Sequence, residues 1–431
     1  MHEIDMSADE LVSSLLGIAE TEPVCILDSC GAGHLGSHLL IAGIEPRSII
    51  EFSDNDPEIT LSKFDSLLSG GEALFFSMSY DFGMRVQRIV SRHPRGVEPD
   101  LFAATFETLL IHDYESHTTY FAGDDQNIAR LKRKLRLAIP PAGRGSPRIT
   151  AASNFTKAGY LQAIQAVKEH ICGGDTYQSN LTQCFDIPLG SEASTTNIFL
   201  RLRKQHPASF AAYFKRLDST VISASPERFF KLQNGRISTS PIKGTRERGE
   251  DSEHDERLRR ELLESPKDIA ENTMIVDLLR NDLGRVCEFG SVEVEKLCDL
   301  EEHSTLFHLV STVAGKLRAG TAYSDIIRAL FPCGSITGAP KLSTMRIIDD
   351  IEPTPRGLSM GALGYYVPGE LFGVPELLET SVAIRTMVVR EDVATFNVGG
   401  GIVIDSDPES EYRETLTKAK ALFSSLGVGV S

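Results

Sequence analysis

Two short acidic patterns offer the first chemistry in this chain of 431 residues. In PESEYRETLTKAK, Glu414 follows Glu411 by three residues and Lys418 follows Glu414 by four. A helix starting near Pro408 therefore carries all three on one face. In SPKDIAENTMIVDLLRNDLGRV, Asp268 and Glu271 repeat the three-residue spacing. Each pattern alone describes a solvated ion pair, or carboxylates favoured by the first turn of a helix. If the two helices converge, their oxygens suit Mg2+, which takes one or two carboxylates and completes its shell with substrate oxygens and water. Periodicity leaves that convergence open.

Other candidates are single residues in glycine-rich surroundings. Gly399–Gly401 read as a break between a strand and the last helix, where backbone N–H groups can approach an anion. FPCGSITGAPK, residues 331–341, places Ser335 and Thr337 beside glycines ahead of another helix, either as a plain turn or as a cradle for a carboxylate. Neither stretch has the spacing of a Walker or Rossmann loop. Lys243 in SPIKGTRERG is an ordinary surface charge unless it is shielded from water beside a substrate, when a neutral amine becomes a nucleophile. Glu227 in SASPERF can serve as a general acid if burial raises its pKa. His308 and Arg385, taken singly, are more often structural.

The elements that must position these residues read as a mixture of strands and helices without a regular βαβ repeat, hence α+β layering. The first 140 or so residues read as short strands joined by turns. The Pro- and Gly-rich stretch 139–147 divides an N-terminal α/β region, 1–145, from a second region, 146–431. Beyond it the pattern predicts a helix over 157–172, strands over 180–187 and 219–224, and helical structure over 251–284. A helix pair is expected over 306–313 and 322–330, strands over 381–389 and 394–398, and a final helix from Pro408. The balance of 60 acidic against 44 basic residues, net -16, argues against a nucleic-acid or anionic-membrane surface. It also requires a local cluster of cations or a metal to hold any anionic substrate. Seven cysteines without a C-x-x-C pair, an acidic N-terminus and no long apolar run point to a reduced, cytoplasmic protein.

Read together, the strings GDTYQSNLTQ, SASPERF, PIKGTRERG, ENTMIVDLLRNDLGRV, HLVSTVAG, FPCGSITGAPK, GALGYY, VAIRT and GGGIVIDSDPESEYRETLTKAKAL resemble the chorismate-utilising enzymes, in family order over about 156–422. The resemblance implies a two-sheet α/β sandwich with helices outside and a magnesium-dependent chorismate site in its cleft. It makes Glu271 and Glu414 the Mg2+ ligands, with Asp268 and Glu411 acting through water or behind them. Gly400, Gly401 and Lys418 would contact the ring carboxylate held by the metal. Arg385 and Tyr365 would hold the enolpyruvyl carboxylate, beside Thr337 and Gly338. Glu227 would be the acid that helps the C4 hydroxyl leave, with His308 nearby.

Two positions bear on the branch within that family. The water-adding enzymes carry a lysine where this chain has Gln178, and anthranilate synthases usually read PIAGT where it has PIKGT. Lys243 resembles the covalent nucleophile of the branch that aminates chorismate at C4 to 4-amino-4-deoxychorismate, towards para-aminobenzoate and folate. No glutaminase signature is evident, so ammonia is expected free or from a separate glutamine amidotransferase subunit. Anthranilate formation and a catalytically silent chorismate-binding paralogue stand as the competing readings. Cys333 and Cys184 depart from the family pattern, and ILDS at 26–29 is only a relative of the LLES signature linked to tryptophan sensing.

Overall fold

In the strand Leu101–Phe106 every side chain is buried, and alternate residues enter different cores. Phe102, Ala104 and Phe106 join one cluster with Phe75, Phe214 and Val221, whereas Leu101 and Ala103 join another with Leu61, Phe64 and Ile275. Period-two alternation thus separates two apolar layers rather than a core from solvent. A computed structural model describes residues 2–123, 125–141, 151–190, 193–303, 306–369, 372 and 375–428. Most of the expected linker, from residue 142 on, lies outside them.

Among the described residues two antiparallel sheets are present, of twelve and ten strands. The larger runs His2–Ile4, Thr118–Gly123, Thr108–Asp113, Leu39–Ile44, Val24–Asp28, Phe210–Lys215, Ser219–Ser225, Thr386–Arg390, Val393–Ile402, Gln178–Pro188 and Gly338–Ala339, with Ala152–Ser153 beside Gln178–Pro188. The smaller runs Ile242–Glu247, Leu306–Lys316, Arg236–Ser240, Arg228–Gln233, Leu377–Val382, Ala362–Val367, Ala73–Met78, Leu101–Phe106 and Ser48–Phe52, with Glu293–Glu302 on Leu306–Lys316. Phe75 of the smaller sheet meets Phe214 of the larger edge to face, with ring centroids 6.1 Å apart. The outer face of the larger sheet packs on the helices Ala8–Ala19, Thr195–Gln205 and Pro408–Leu426. The smaller sheet packs on Pro57–Leu68, Pro266–Gly284 and Lys341–Ile351. The result is the expected two-sheet sandwich with helices outside.

The division at 145 does not separate two sheets. Val24–Asp28 pairs with Phe210–Lys215, and Ala73–Met78 pairs with Ala362–Val367, so both chain segments contribute to both sheets. Three expectations about elements are corrected. The first 140 residues also hold helices, including Ala8–Ala19 and Pro57–Leu68. Leu306–Lys316 is a strand, not a helix; it lies between neighbours in the sheet, and nearly all its residues are buried, which erases the alternation that would mark it. The run 381–389 is two strands, ending at Val382 and restarting at Thr386. All seven cysteines are free, and no helix among the described residues is long and apolar enough to cross a membrane.

Candidate active site

Glu227 sits between the strands Ser219–Ser225 and Arg228–Gln233 and is buried. Its N–H donates to Ser225 Oγ at 3.3 Å. Burial pushes its carboxyl pKa up; Lys243, the Ser335 hydroxyl and the Ile242 N–H oppose that rise. Its Oε1 has no hydrogen-bond partner among the described residues. Lys243 follows Ile242 in the strand Ile242–Glu247, so one strand supplies both an N–H donor and a cation to the same carboxyl. The Lys243 ammonium donates to the Ser335 carbonyl at 3.1 Å. Ser335 therefore touches both residues, Glu227 through its hydroxyl and Lys243 through its backbone.

The two acidic helices converge. Ser265 caps Pro266–Gly284 and Asp407 caps Pro408–Leu426, each with proline in the first turn. Lys267 of the first lies 4.0 Å from Glu271 Oε1 and 3.5 Å from Glu411 Oε1 of the second. Glu411 is buried and also accepts from Ser406 Oγ at 2.7 Å. Glu271 Oε1 is buried without a hydrogen-bond partner, and burial raises the pKa of this carboxyl against Lys243 and Lys267. At Glu414 the balance reverses: burial would raise its pKa, but Lys418, 2.8 Å away, with Lys267 and Lys243, holds it below the usual value. Asp268 pairs with Arg246 at 3.1 Å. The Lys243 charge thus acts to lower the pKa of Glu227, Glu271 and Glu414 alike. The carboxylates are all-oxygen donors with one buried oxygen unclaimed, which fits Mg2+. In the present arrangement the Lys267 ammonium provides the positive charge between Glu271 and Glu411.

Gly399–Gly401 correct an expectation, because they end the strand Val393–Ile402 and do not form a loop. Leu181 pairs with Gly400 and Asn180 with Gly401 on one side, while Thr386–Arg390 on the other side stops at Thr395. One edge of the glycine run is therefore left without a strand partner among the described residues. Lys418 donates to the Gly399 carbonyl at 3.2 Å, and a β-carbon on Gly400 would fall 3.5 Å from the Lys418 ammonium. Gln178 lies over Gly401, where a β-carbon would come within 2.1 Å of its amide nitrogen.

The remaining candidates divide. His308 is buried and shares a hydrogen bond of 2.8 Å with Thr245 Oγ1. Burial, His303 and Arg385 depress its pKa to about 3, so the ring is neutral at ordinary pH. Arg385, at φ 48°, has its pKa lowered by burial and makes no ion pair with a described carboxylate. Thr337 turns its hydroxyl to the Cys333 and Gly334 carbonyls at 3.1 and 3.2 Å. Gly338, at φ 146°, lies so close to Gln178 that a β-carbon would fall 2.0 Å from its carbonyl oxygen. Tyr365 is not brought to Arg385 by any hydrogen bond. Its hydroxyl donates to Glu379 at 2.9 Å, and Glu379 in turn pairs with Arg228 at 2.7 Å. Tyr365 and Glu379 line a separate cavity with Leu27, Phe210 and Lys231.

Sequence reading missed the supports. Arg356, buried, makes two hydrogen bonds to Glu352, at 2.9 and 2.7 Å, and donates to the Ile336 and Asn180 carbonyls at 3.1 and 2.5 Å. Glu352 also accepts from the Thr182 N–H at 2.7 Å. This network ties the 331–340 loop to the strand that faces the glycine run. An arginine in TPRG has no pattern that announces this. Ser335 and Lys267, by contrast, stood inside motifs already noted.

The two-sheet sandwich thus has converging helices that bring Glu271, Glu411 and Glu414 together. The chain belongs to the chorismate binding enzymes, matching that family over residues 22–424. Among named relatives, aminodeoxychorismate synthase component 1 of Bacillus subtilis is 37% identical over 82% of this chain and 76% of its own length. Anthranilate synthase component 1 of the same organism is 38% identical over 91% of this chain and 80% of its own. The crystal structure of anthranilate synthase component I from Streptococcus pneumoniae superposes with a TM-score of 0.77 at 26% identity, covering 89% of this chain and 92% of that one.

Proposed function

We propose that this chain aminates chorismate at C4 in the cytoplasm, yielding 4-amino-4-deoxychorismate with ammonia supplied by a separate amidotransferase subunit. The observation that carries the reading is Lys243, half-buried, donating to the Ser335 carbonyl and acting electrostatically on the buried Glu227. In this reading the Lys243 amine forms a bond to C2 of the ring while the C4–O bond breaks. Glu227 gives its proton to the departing hydroxyl, which leaves as water. Ammonia then bonds to C4 as the C2–N bond breaks, which releases the neutral Lys243 amine, and the new C4 ammonium returns a proton to Glu227. The net change is chorismate plus ammonia to aminated ring plus water. Arg385, without a carboxylate of its own, is suited to the enolpyruvyl carboxylate, and Lys418 beside Gly399 to the ring carboxylate. Glu271 and Glu414, with Asp268 and Glu411 behind them, would hold Mg2+, which when bound offsets the negative charge of the substrate.

The test is mass analysis of the product made by the purified chain from chorismate, Mg2+ and ammonium salt. The aminated, pyruvyl-bearing ring is expected. Anthranilate and free pyruvate would move the chain to the branch of its 38%-identical relative. Metal-dependent chorismate binding without turnover would make it a silent paralogue. Glutamine alone should not support turnover until an amidotransferase subunit is added.

A further inference from the structure

A second group of metal-type ligands lies away from the acidic helices. His34 begins a short turn, His34–Gly36, between the strands Val24–Asp28 and Leu39–Ile44. It is 2% exposed, packed edge-on against Phe210 at 6.2 Å and against His303 at 5.4 Å. Glu301 is the next-to-last residue of the strand Glu293–Glu302, which pairs with Leu306–Lys316, and His303 follows the strand's end. The His34 Nδ1 meets Glu301 Oε2, and the His303 Nε2 lies 3.5 Å from the same oxygen. One ligand atom from each of the three residues falls within 4.8 Å of the other two.

Hydrogen bonding accounts for His34 Nδ1, which meets Glu301 Oε2, but not for the Nε2 atoms of the two imidazoles. His34 Nε2 and His303 Nε2 are both buried without a partner among the described residues. Leaving such nitrogens unpaired costs free energy that protons on one carboxylate oxygen do not recover. A cation that takes a lone pair from each imidazole, together with the carboxylate oxygen, uses the convergence fully. Two nitrogens and one oxygen suit a borderline ion with an open fourth position, not Mg2+, which prefers oxygen alone. The three ligand atoms lie within 4.8 Å of one another, but His34 Nδ1 and Glu301 Oε2 are closer than two ligands of one such ion, so binding moves these two apart.

We propose that His34, Glu301 and His303 bind a divalent transition ion of the Zn2+ type. The ion fastens the N-terminal turn to the strand pair that carries His308. The His303 ring stands 5.4 Å from that of His308, so the fastening reaches the Thr245–His308 hydrogen bond. The site shares no ligand with the acidic helices.

The experiment titrates the metal-stripped full chain with Co2+ in excess Mg2+, reading visible d–d absorption and the thermal midpoint. One Co2+ per chain with absorption typical of four- or five-coordinate N/O sites, a higher midpoint and displacement by Zn2+ are expected. His303→Ala and His303→Gln, chosen because His34 is too buried to replace safely, should weaken binding by about tenfold or more. Circular dichroism checks that both variants are folded. Glu414→Gln should bind Co2+ like the parent. No d–d spectrum, equal binding by the folded His303 variants, or loss of Co2+ in Glu414→Gln would each overturn the assignment.

Discussion

Lys267 of the helix Pro266–Gly284 holds its ammonium 3.5 Å from Glu411 of the helix Pro408–Leu426. Burial would lower its pKa, but Glu411, Glu271 and Glu414 together hold it above the usual value. The helices are thus joined by a side-chain cation at the place proposed for a metal, where a bound Mg2+ would compete with the lysine for the same carboxylates. Replacing Lys267 by Met should lower the Mg2+ concentration for half-maximal activity by about two- to fivefold, the scale of one partly exposed ion pair of roughly 0.5–1 kcal/mol. Glu414→Gln removes charge but little volume, so it should fold normally and lose most activity at ordinary Mg2+. A Mg2+ requirement unchanged in both variants places the metal elsewhere.

Lys243→Ala should abolish turnover to the C4-aminated product. Incubation of the parent chain with chorismate, Mg2+ and no ammonia should leave an adduct on the peptide containing Lys243, detected as added mass. The alanine variant should show none, and residual chemistry should shift towards ammonia attack at C2. An unchanged rate and product would reduce Lys243 to a bystander.

Glu227 must be protonated to assist departure of the hydroxyl. Its pKa is raised by burial, so the protonated form persists above the ordinary carboxylate range and is lost as pH rises through the raised value. Turnover should fall along that alkaline limb. Ser335→Ala removes a hydrogen bond that holds the pKa down while keeping the carbonyl that accepts from Lys243, so the limb of kcat should move to higher pH. A limb that stays in place or moves to lower pH excludes Glu227 as the acid.

Arg356→Ala leaves Glu352 buried without its cation. Breaking such a pair costs about 3–5 kcal/mol. Urea unfolding should show that loss through a lower midpoint. Because Arg356 also holds the Ile336 and Asn180 carbonyls, KM for chorismate should rise in any folded fraction. A midpoint within experimental error of the parent would mean that the pair contributes little.

The helix over 157–172 was legible because Thr156 caps it and one face alone is apolar, and the structure returns Lys157–Cys172. Leu306–Lys316 misled because its apolar residues fit both periods once nearly every position is buried. The glycine run was hidden for another reason: glycine is a poor strand former, so three in a row read as a break although they continue the ladder opposite Leu181 and Asn180. In the site, Glu227, Lys243, Glu271 and Glu414 could be named from motifs, but their meeting depends on which strands and helices become neighbours, which no local window contains. Tyr365 stood in a plain motif, but that its hydroxyl donates to Glu379, itself paired with Arg228, could not be read locally. Arg356 was invisible because a buried arginine is defined by partners distant in the chain.

The interleaving of both chain segments in both sheets has a consequence for synthesis. Val24–Asp28 emerges from the ribosome long before Phe210–Lys215, the strand that completes its pairing, and Ala73–Met78 must wait for Ala362–Val367. Strands apolar on both faces are then exposed for seconds at ordinary elongation rates, with neither sheet able to close. The nascent chain is accordingly a natural client for chaperones that shield extended apolar segments, and its yield should respond to their supply and to translation speed more than the stability of the finished protein would suggest.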